Sequence, residues 1–205
     1  MSVPKTTPSD RVRRSIRARK SPVFTTGDII NGTPGASRAL VDQVLSRMVR
    51  AGELQRISRG LFSRPKIHRE LGPLTPHSED ISAAVERSIG VPVVPSGALA
   101  LNALHLSTQV PSKLEFKTAG PTRTILVGKR QIRLKHAPAR RFRARARIVP
   151  LVIEALSALG RERVTEDTIR TLRNVISEND RATLSRHIGD APVWMQRHLR
   201  QVVAE

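Results

Sequence analysis

The sequence predicts an α+β fold in which an N-terminal three-helix unit with a β-hairpin precedes a mixed α/β domain and a helical C-terminal segment. Apolar residues recur at helical spacing over residues 37–51, and two short strand-like runs follow within residues 54–62. Three strand-like runs then lie between residues 114 and 135, and helical spacing returns after residue 150. We therefore divide the chain into domains 1–70, 71–147 and 148–205.

The first elements are short. Residues 10–20 read as a helix with Val12 and Ile16 on one face, and Ser21-Pro22 ends it. An extended piece over residues 23–25 follows. Thr26 is then expected to cap a brief helix.

The next helix has the clearest pattern. Over residues 37–51 the apolar positions form one buried stripe, and Gly52 is placed to end the helix in a left-handed turn. The stripe comprises Leu40, Val41, Val44, Leu45, Met48 and Val49. The polar residues off the stripe are Ser37, Arg38, Asp42, Gln43, Ser46, Arg47 and Arg50.

A basic β-hairpin is predicted after this helix. Leu54 and Ile57 lie in one short strand, Leu61 and Phe62 lie in the next, and Ser58-Arg59-Gly60 forms the turn. Two helices, a longer third helix and a hairpin, in that order, predict a winged helix-turn-helix, whose third helix enters the major groove of DNA. The candidate DNA-binding residues are Ser37, Arg38, Gln43, Ser46, Arg47, Arg50, Arg56, Arg59 and Arg64. The alternative is an ordinary solvated helix face.

The charge distribution favours a nucleic-acid partner. Residues 1–70 carry 15 basic and 5 acidic side chains, whereas residues 151–205 carry eight of each, and the whole chain has a formal charge of +19. The excess is mostly arginine, which also accumulates in proteins from GC-rich genomes. With four Phe, one Trp and no Tyr, the chain has few rings on which single-stranded bases could stack, so we expect duplex DNA.

Several classes are disfavoured by what the sequence lacks. Cysteine is absent, so disulfides and thiolate metal sites are excluded. No signal-peptide core or membrane span is visible, and we expect a cytoplasmic protein that does not bind membranes. The six histidines have no metal-ligand spacing, so no metal is expected. No cofactor is expected either.

The middle segment predicts a helix, a short strand, a second helix and three strands. Residues 71–76 read as a linker in which Thr75 caps the first helix, and Ser96-Gly97 opens the second. The strands cover residues 114–118, 122–127 and 131–135. Turns at Ala119-Gly120-Pro121 and Gly128-Lys129 favour an antiparallel meander.

Three stretches of residues, in two separated blocks, resemble a known family. Residues 56–62 read RISRGLF, residues 95–111 read PSGALALNALHLSTQVP, and residues 116–120 read FKTAG. In this chain order they resemble the AbiEi-type antitoxins of bacterial toxin–antitoxin systems over about residues 10–140. The wing of that family typically ends in Gly-Val-Tyr or a similar triplet, and Gly60-Leu61-Phe62 stands there in this chain.

The resemblance implies a transcriptional repressor. Such antitoxins are encoded beside an AbiEii-type nucleotidyltransferase toxin, bind their own promoter through the winged helix and counteract the toxin through the C-terminal region. The composition and periodicity of this chain support the DNA-binding half alone. They leave open whether it binds DNA as a homodimer.

A second basic surface is expected from the run over residues 140–147. As a strand, this run would place Arg141, Arg143, Arg145 and Arg147 on one face. That face could bind DNA or RNA, protect an exposed sheet edge through like charges, or dock on an acidic toxin.

The C-terminal segment predicts four helices. The first begins near Pro150, Thr165 caps the second, the third covers residues 182–188, and Asp190 caps the last.

Enzymatic function is disfavoured but left open. The chain has no phosphate-binding Gly-x-x-x-x-Gly-Lys loop, no kinase catalytic-loop motif and no Gly-x-Ser-x-Gly elbow. One alternative is an antitoxin that modifies its toxin as an atypical phosphotransferase. Another is a general nucleic-acid-binding protein.

Overall fold

The computed structural model describes residues 7–204 except residues 71, 75, 110, 112, 128, 129 and 145. It divides into two compact units, which we call the N-terminal unit (residues up to 90, with 125–129) and the C-terminal unit (residues 91–124 and 130–205). It contains helices together with antiparallel and mixed sheets, so the α+β class is confirmed.

The N-terminal unit combines four helices and five short strands among the described residues. These elements are α1 (Pro8–Ala18), β1 (Val23–Thr25), α2 (Thr26–Asn31), α3 (Arg38–Arg50), β2 (Gln55–Ser58), β3 (Leu61–Ser63), β4 (Lys66–His68), β5 (Gly72–Leu74) and α4 (Ser78–Ile89). One antiparallel sheet has the order β1–β3–β2, and β4 pairs with β5 in a separate hairpin. Strand β5 of that hairpin lies within residues 71–76, which the sequence predicted as a linker; the expected cap Thr75 lies outside the described residues.

Local capping explains where the first helices begin. Thr7 and Asp10 form a reciprocal capping box at α1. Thr25 and Asp28 form another at α2, so the prediction of Thr26 as cap was wrong by one residue. Ser37 caps α3 by accepting a hydrogen bond from the Leu40 amide at 3.2 Å.

The predicted stripe of α3 is largely buried, as expected. Val41, Val44, Leu45 and Met48 are at most 2% exposed, whereas Leu40 and Val49 are half-buried at its margins. Gly52 adopts φ +73°, the left-handed turn expected there. The stripe packs with residues of α1, α2 and the sheet in one core, which also contains Val12, Ile16, Phe24, Ile29, Leu54 and Phe62.

The unit boundary differs from the domain boundaries that we drew from the sequence, after residues 70 and 147. Helix α4 belongs to the N-terminal unit because it packs against β1 and β3. Ser21 Oγ also donates to Asp80 Oδ1 in α4 at 2.7 Å. The C-terminal helices share one core with Ala100, Leu104 and Ala144, so no boundary falls near residue 147.

The C-terminal unit contains a sheet and a group of helices. The elements are β6 (Val93–Pro95), α5 (Ala98–Ala103), β7 (Leu114–Thr118), β9 (Arg130–His136), α6 (Ile148–Leu159), α7 (Glu166–Val175), α8 (Glu178–Arg186) and α9 (Val193–Val203). Strand β8 (Arg123–Val127) begins in this unit, whereas its residues 125–127 are assigned to the N-terminal unit. Short 3₁₀ turns cover Ala139–Phe142, Arg161–Arg163 and Ile188–Asp190.

The sheet is not the predicted antiparallel meander. Its order is β6–β7–β9–β8; β6 is antiparallel to β7, and β7 is parallel to β9. Ile132 and Leu134 of β9 are fully buried and lie in register with Leu114 and Phe116 of β7. The strand that carries these fully buried residues, β9, thus takes the interior position beside β7, and β8 lies at the edge of the sheet. The expected turn at residues 128–129 lies outside the described residues.

Two further features of the C-terminal unit differ from the expectations. The described residues of 140–147 do not form the strand that would have placed the arginines of this run on one face: the chain makes a 3₁₀ turn over Ala139–Phe142 and enters α6 at Ile148, and Ala144 lies in the helical core. Asp190 does not cap α9, whose N-cap is Pro192; instead Asp190 pairs with His187 Nδ1 at 2.9 Å. Thr165 caps α7 as predicted, and the third helix begins earlier than expected, at Glu178.

Candidate functional site

An arginine-lined cleft of about 850 Å³ lies within the N-terminal unit. We call it the arginine cleft. One side is formed by α3, and the others by β2, the β2–β3 turn, the start of α2 and the end of α4. Its lining residues are Thr25, Thr26, Gly27, Arg38, Asp42, Ser46, Val49, Arg50, Arg56, Arg59, Gly60, Phe62, Arg87 and Ser88.

The helical repeat explains the α3 side of this cleft. Positions 38, 42, 46 and 50 are spaced four residues apart, which places their side chains along one face of a helix. Arg38 and Asp42 form an ion pair across one turn, with Nε and Oδ2 3.7 Å apart. Both side chains are exposed, at 78% and 53% respectively, so their charges face solvent.

The opposite side depends on a tight turn. Gly60 adopts φ +74°, a conformation that glycine reaches without steric cost, and its carbonyl accepts a hydrogen bond from the Thr26 amide at 2.9 Å. This turn carries the exposed Arg59, and the exposed Arg56 precedes it on β2. Four exposed arginines, Arg38, Arg50, Arg56 and Arg59, therefore line one concave surface.

The structure brings together five of the nine residues predicted to contact DNA. Arg38, Ser46, Arg50, Arg56 and Arg59 line the arginine cleft. Gln43 and Arg47 are exposed on α3 without lining it, and Ser37 is the N-cap of α3.

Arg64 has a structural role. Its Nη1 donates to the carbonyl of Arg17 at 2.9 Å, and its Nη2 donates to the carbonyl of Arg19. Both carbonyls lie at the end of α1, where helix carbonyls lack intrahelical partners. The guanidinium of Arg64 is thus committed to the fold rather than to the cleft.

Sequence reasoning missed the contribution of α4. Arg87 and Ser88 line the cleft from this helix. Arg87 Nε donates to both carboxylate oxygens of Asp28, which also pairs with Arg19 Nη2 at 3.6 Å. No local signal links residues 28 and 87, because they are 59 positions apart. Asp42 was noted off the apolar stripe but was not predicted as a site residue.

Two of the described arginines of the predicted second basic surface have partners within the fold. Arg141 Nη1 pairs with Glu154 Oε1 at 2.9 Å, and Arg147 Nη2 donates to the Val93 carbonyl at 3.1 Å. Arg143 is exposed and lines a smaller cleft of about 340 Å³ with Arg140 and Arg141. Arg145 lies outside the described residues.

Two buried ionisable groups of the C-terminal unit have shifted pKa values. Burial raises the pKa of Glu154, and the charge of Arg141 opposes that shift. Burial and then the charge of Arg197 lower the pKa of His198, which borders a groove of about 780 Å³ between α7 and α9.

The described residues contain no group of three or more His, Asp or Glu side chains arranged to hold a metal ion. None of the described helices is long and apolar enough to cross a membrane.

Fold and site together define an α+β protein with an arginine-lined cleft. The chain belongs to the family described as a family of unknown function, DUF6088, whose model matches residues 11–184. No curated protein matches it. Among solved structures, the chain is similar to the RV2827C protein from Mycobacterium tuberculosis, with 15% identity, a TM-score of 0.42, and coverage of 97% of this chain and 82% of that one.

Proposed function

We propose that the N-terminal unit is a winged helix-turn-helix that binds duplex DNA. The observation that carries this proposal is the clustering of Arg38, Arg50, Arg56 and Arg59 on α3, β2 and the β2–β3 turn. In a winged helix-turn-helix these are the third helix and the wing, which contact the major groove and the flanking backbone. Exposed guanidinium groups bind both phosphate oxygens and guanine edges.

The charge of the cleft suits a polyanion. Asp42 is the one acidic residue among its described lining residues, and the cleft contains five arginines. Arginines that neutralise phosphates release counterions, so binding should weaken steeply as salt rises.

Within this proposal the chain acts as a transcriptional repressor and antitoxin. The support is the resemblance of residues 56–62, 95–111 and 116–120 to AbiEi-type antitoxins. The protein would bind the promoter of its own gene and neutralise a nucleotidyltransferase toxin encoded by the adjacent gene.

DNA binding is tested with the purified full chain and the DNA upstream of its own gene. Fluorescence anisotropy should give tighter binding to this duplex than to an unrelated duplex of equal length. The double variant Arg56→Ala/Arg59→Ala should weaken both. Arg200→Ala, an exposed arginine of α9, makes a matched control that should leave both affinities unchanged. Equal affinity for the two duplexes would favour a general nucleic-acid-binding protein instead.

The antitoxin role is tested by co-expression with the neighbouring gene. Growth should stop when that gene is expressed alone and recover when this chain is present. Intact-mass measurement of the recovered toxin then separates the mechanisms. An unchanged mass supports neutralisation without modification, whereas an ATP-dependent increase would make the chain an enzyme.

A further inference from the structure

The arginine cleft contains a negative charge that phosphate binding does not explain. Asp42 lies on the same face of α3 as Arg38, Ser46 and Arg50, and its carboxylate is about half exposed. A carboxylate repels phosphate, so at this position it weakens sequence-independent attraction to DNA. An exposed ion pair between residues four positions apart on a helix contributes only about a few tenths of a kcal/mol to stability.

The pairing leaves hydrogen-bonding groups on both side chains. The ion pair joins Nε of Arg38 to Oδ2 of Asp42 at 3.7 Å, which is longer than a hydrogen bond, so both side chains keep polar groups that can bond other partners. Arginine bonds O6 and N7 of guanine through two nitrogens, and aspartate accepts from the N4 amino group of cytosine. Guanine O6 and N7 and the cytosine N4 amino group all lie on the major-groove edge of a G·C base pair.

The position on the helix agrees with such a role. Arg38 is the first residue of α3 and Asp42 the fifth. In helix-turn-helix proteins the N-terminal residues of the third helix contact base edges.

We infer that Arg38 and Asp42 together read one G·C pair and that Asp42 determines specificity. This rests on the proposed DNA-binding function. Asp42 accepts from cytosine N4, holds the Arg38 guanidinium beside guanine, and disfavours DNA that offers no amino group there. Arg50, Arg56 and Arg59 then supply the contacts to phosphate.

The test is a selection from duplexes with a randomised centre, using the full chain. Wild type should enrich a motif that contains one G·C pair. The variant Asp42→Asn should show an about tenfold weaker preference for G·C at that position and unchanged preferences at the other positions. Asp42→Asn should also bind unrelated duplex several-fold more tightly. Glu79→Gln removes one exposed carboxylate outside the cleft, so this control should enrich the wild-type motif.

Arg38→Lys provides a second, independent measurement. Lysine keeps the charge but lacks the planar fork, so the preference at the same base pair should fall while the salt dependence stays at its wild-type slope. If both variants enrich the wild-type motif at full strength, the base-reading role is overturned and the proposed DNA-binding function stands. If wild type binds no duplex, both fall.

Discussion

Arg87 of α4 donates from Nε to both carboxylate oxygens of Asp28 at the start of α2, at 3.0 and 3.1 Å. Asp28 also accepts from the Thr25 amide at 2.9 Å, as part of the α2 capping box. The Asp28 carboxylate therefore takes part in the N-terminal cap of α2 and also links α2 to Arg87 of α4, which lies 59 positions further along the chain. Since the carboxylate is only 12% exposed, solvent cannot readily replace these partners.

Asp28→Asn should lower the free energy of unfolding by about 2 kcal/mol, because it weakens the cap and removes both ion pairs. Urea unfolding followed by circular dichroism measures this. The control is Glu79→Gln, which removes an exposed acid from α4 and should change stability little. Equal stability of Asp28→Asn and wild type would show that the network is dispensable.

Arg64→Ala should act on stability and leave DNA binding unaffected. It removes two charge-assisted hydrogen bonds to carbonyls at the end of α1, and we expect a loss of about 1–3 kcal/mol. Arg69→Ala, an exposed arginine in the turn after β4, should be neutral in the same unfolding experiment. A shallower salt dependence of DNA binding in Arg64→Ala would instead return this residue to the interface.

The interface variants should fall into two groups. Arg59→Ala should weaken binding to all duplexes alike and reduce the salt slope by about one unit, because it removes one phosphate contact. Gln43→Ala and Arg47→Ala should each weaken specific binding by about 1–3 kcal/mol if they read bases. Anisotropy titrations at several salt concentrations separate the groups. An unchanged salt slope in Arg59→Ala would show that the turn does not contact phosphate. An unchanged footprint and affinity in Gln43→Ala or Arg47→Ala would show that the replaced residue does not contact bases.

Glu154 should make stability fall as pH rises from acid towards neutral. Its pKa is raised above the ordinary value of 4.5, so the folded state holds the proton more tightly than the unfolded state does. The contribution is fully present below pH 4.5 and is lost as pH rises through the folded pKa. Wild type should therefore lose stability relative to Glu154→Gln over this range. Arg141→Ala should increase the loss, because it leaves the buried carboxylate unpaired. A pH-independent difference would contradict the assignment.

His198 should have the opposite pH dependence. Its pKa is lowered from 6.5, mainly by burial, so the unfolded state binds the proton first. Its contribution is present above pH 6.5 and is lost as pH falls through the folded pKa. Unfolding measured at decreasing pH should therefore show wild type losing stability relative to His198→Gln. His77→Gln, an exposed histidine with no capping hydrogen bond, is the control. Parallel curves for wild type and His198→Gln would exclude this role.

Local patterns identified much of the N-terminal unit in advance. The spacing of Val41, Val44, Leu45 and Met48 predicted both the helix and its buried face, because helical geometry alone decides which residues share a face. Gly52 and Gly60 marked the turns where positive φ is needed. Five of the nine candidate contacts, Arg38 and Arg56 among them, proved to line one cleft.

The remaining features depend on residues far apart in the chain. Arg64 was predicted to contact DNA but donates to a carbonyl at the end of α1. Arg87, which was not predicted as a site residue, bonds Asp28 and lines the cleft. Likewise, β9 took the place beside β7 that a meander would assign to β8.

By itself, the sequence determined the helices with strong apolar periodicity, the glycine turns and the excess of positive charge. The tertiary structure decided which arginines bind the protein's own carbonyls and carboxylates and which remain exposed. The physical reason is that periodicity acts over one or two helical turns, whereas strand order and hydrogen-bond partners are chosen by burial among distant segments.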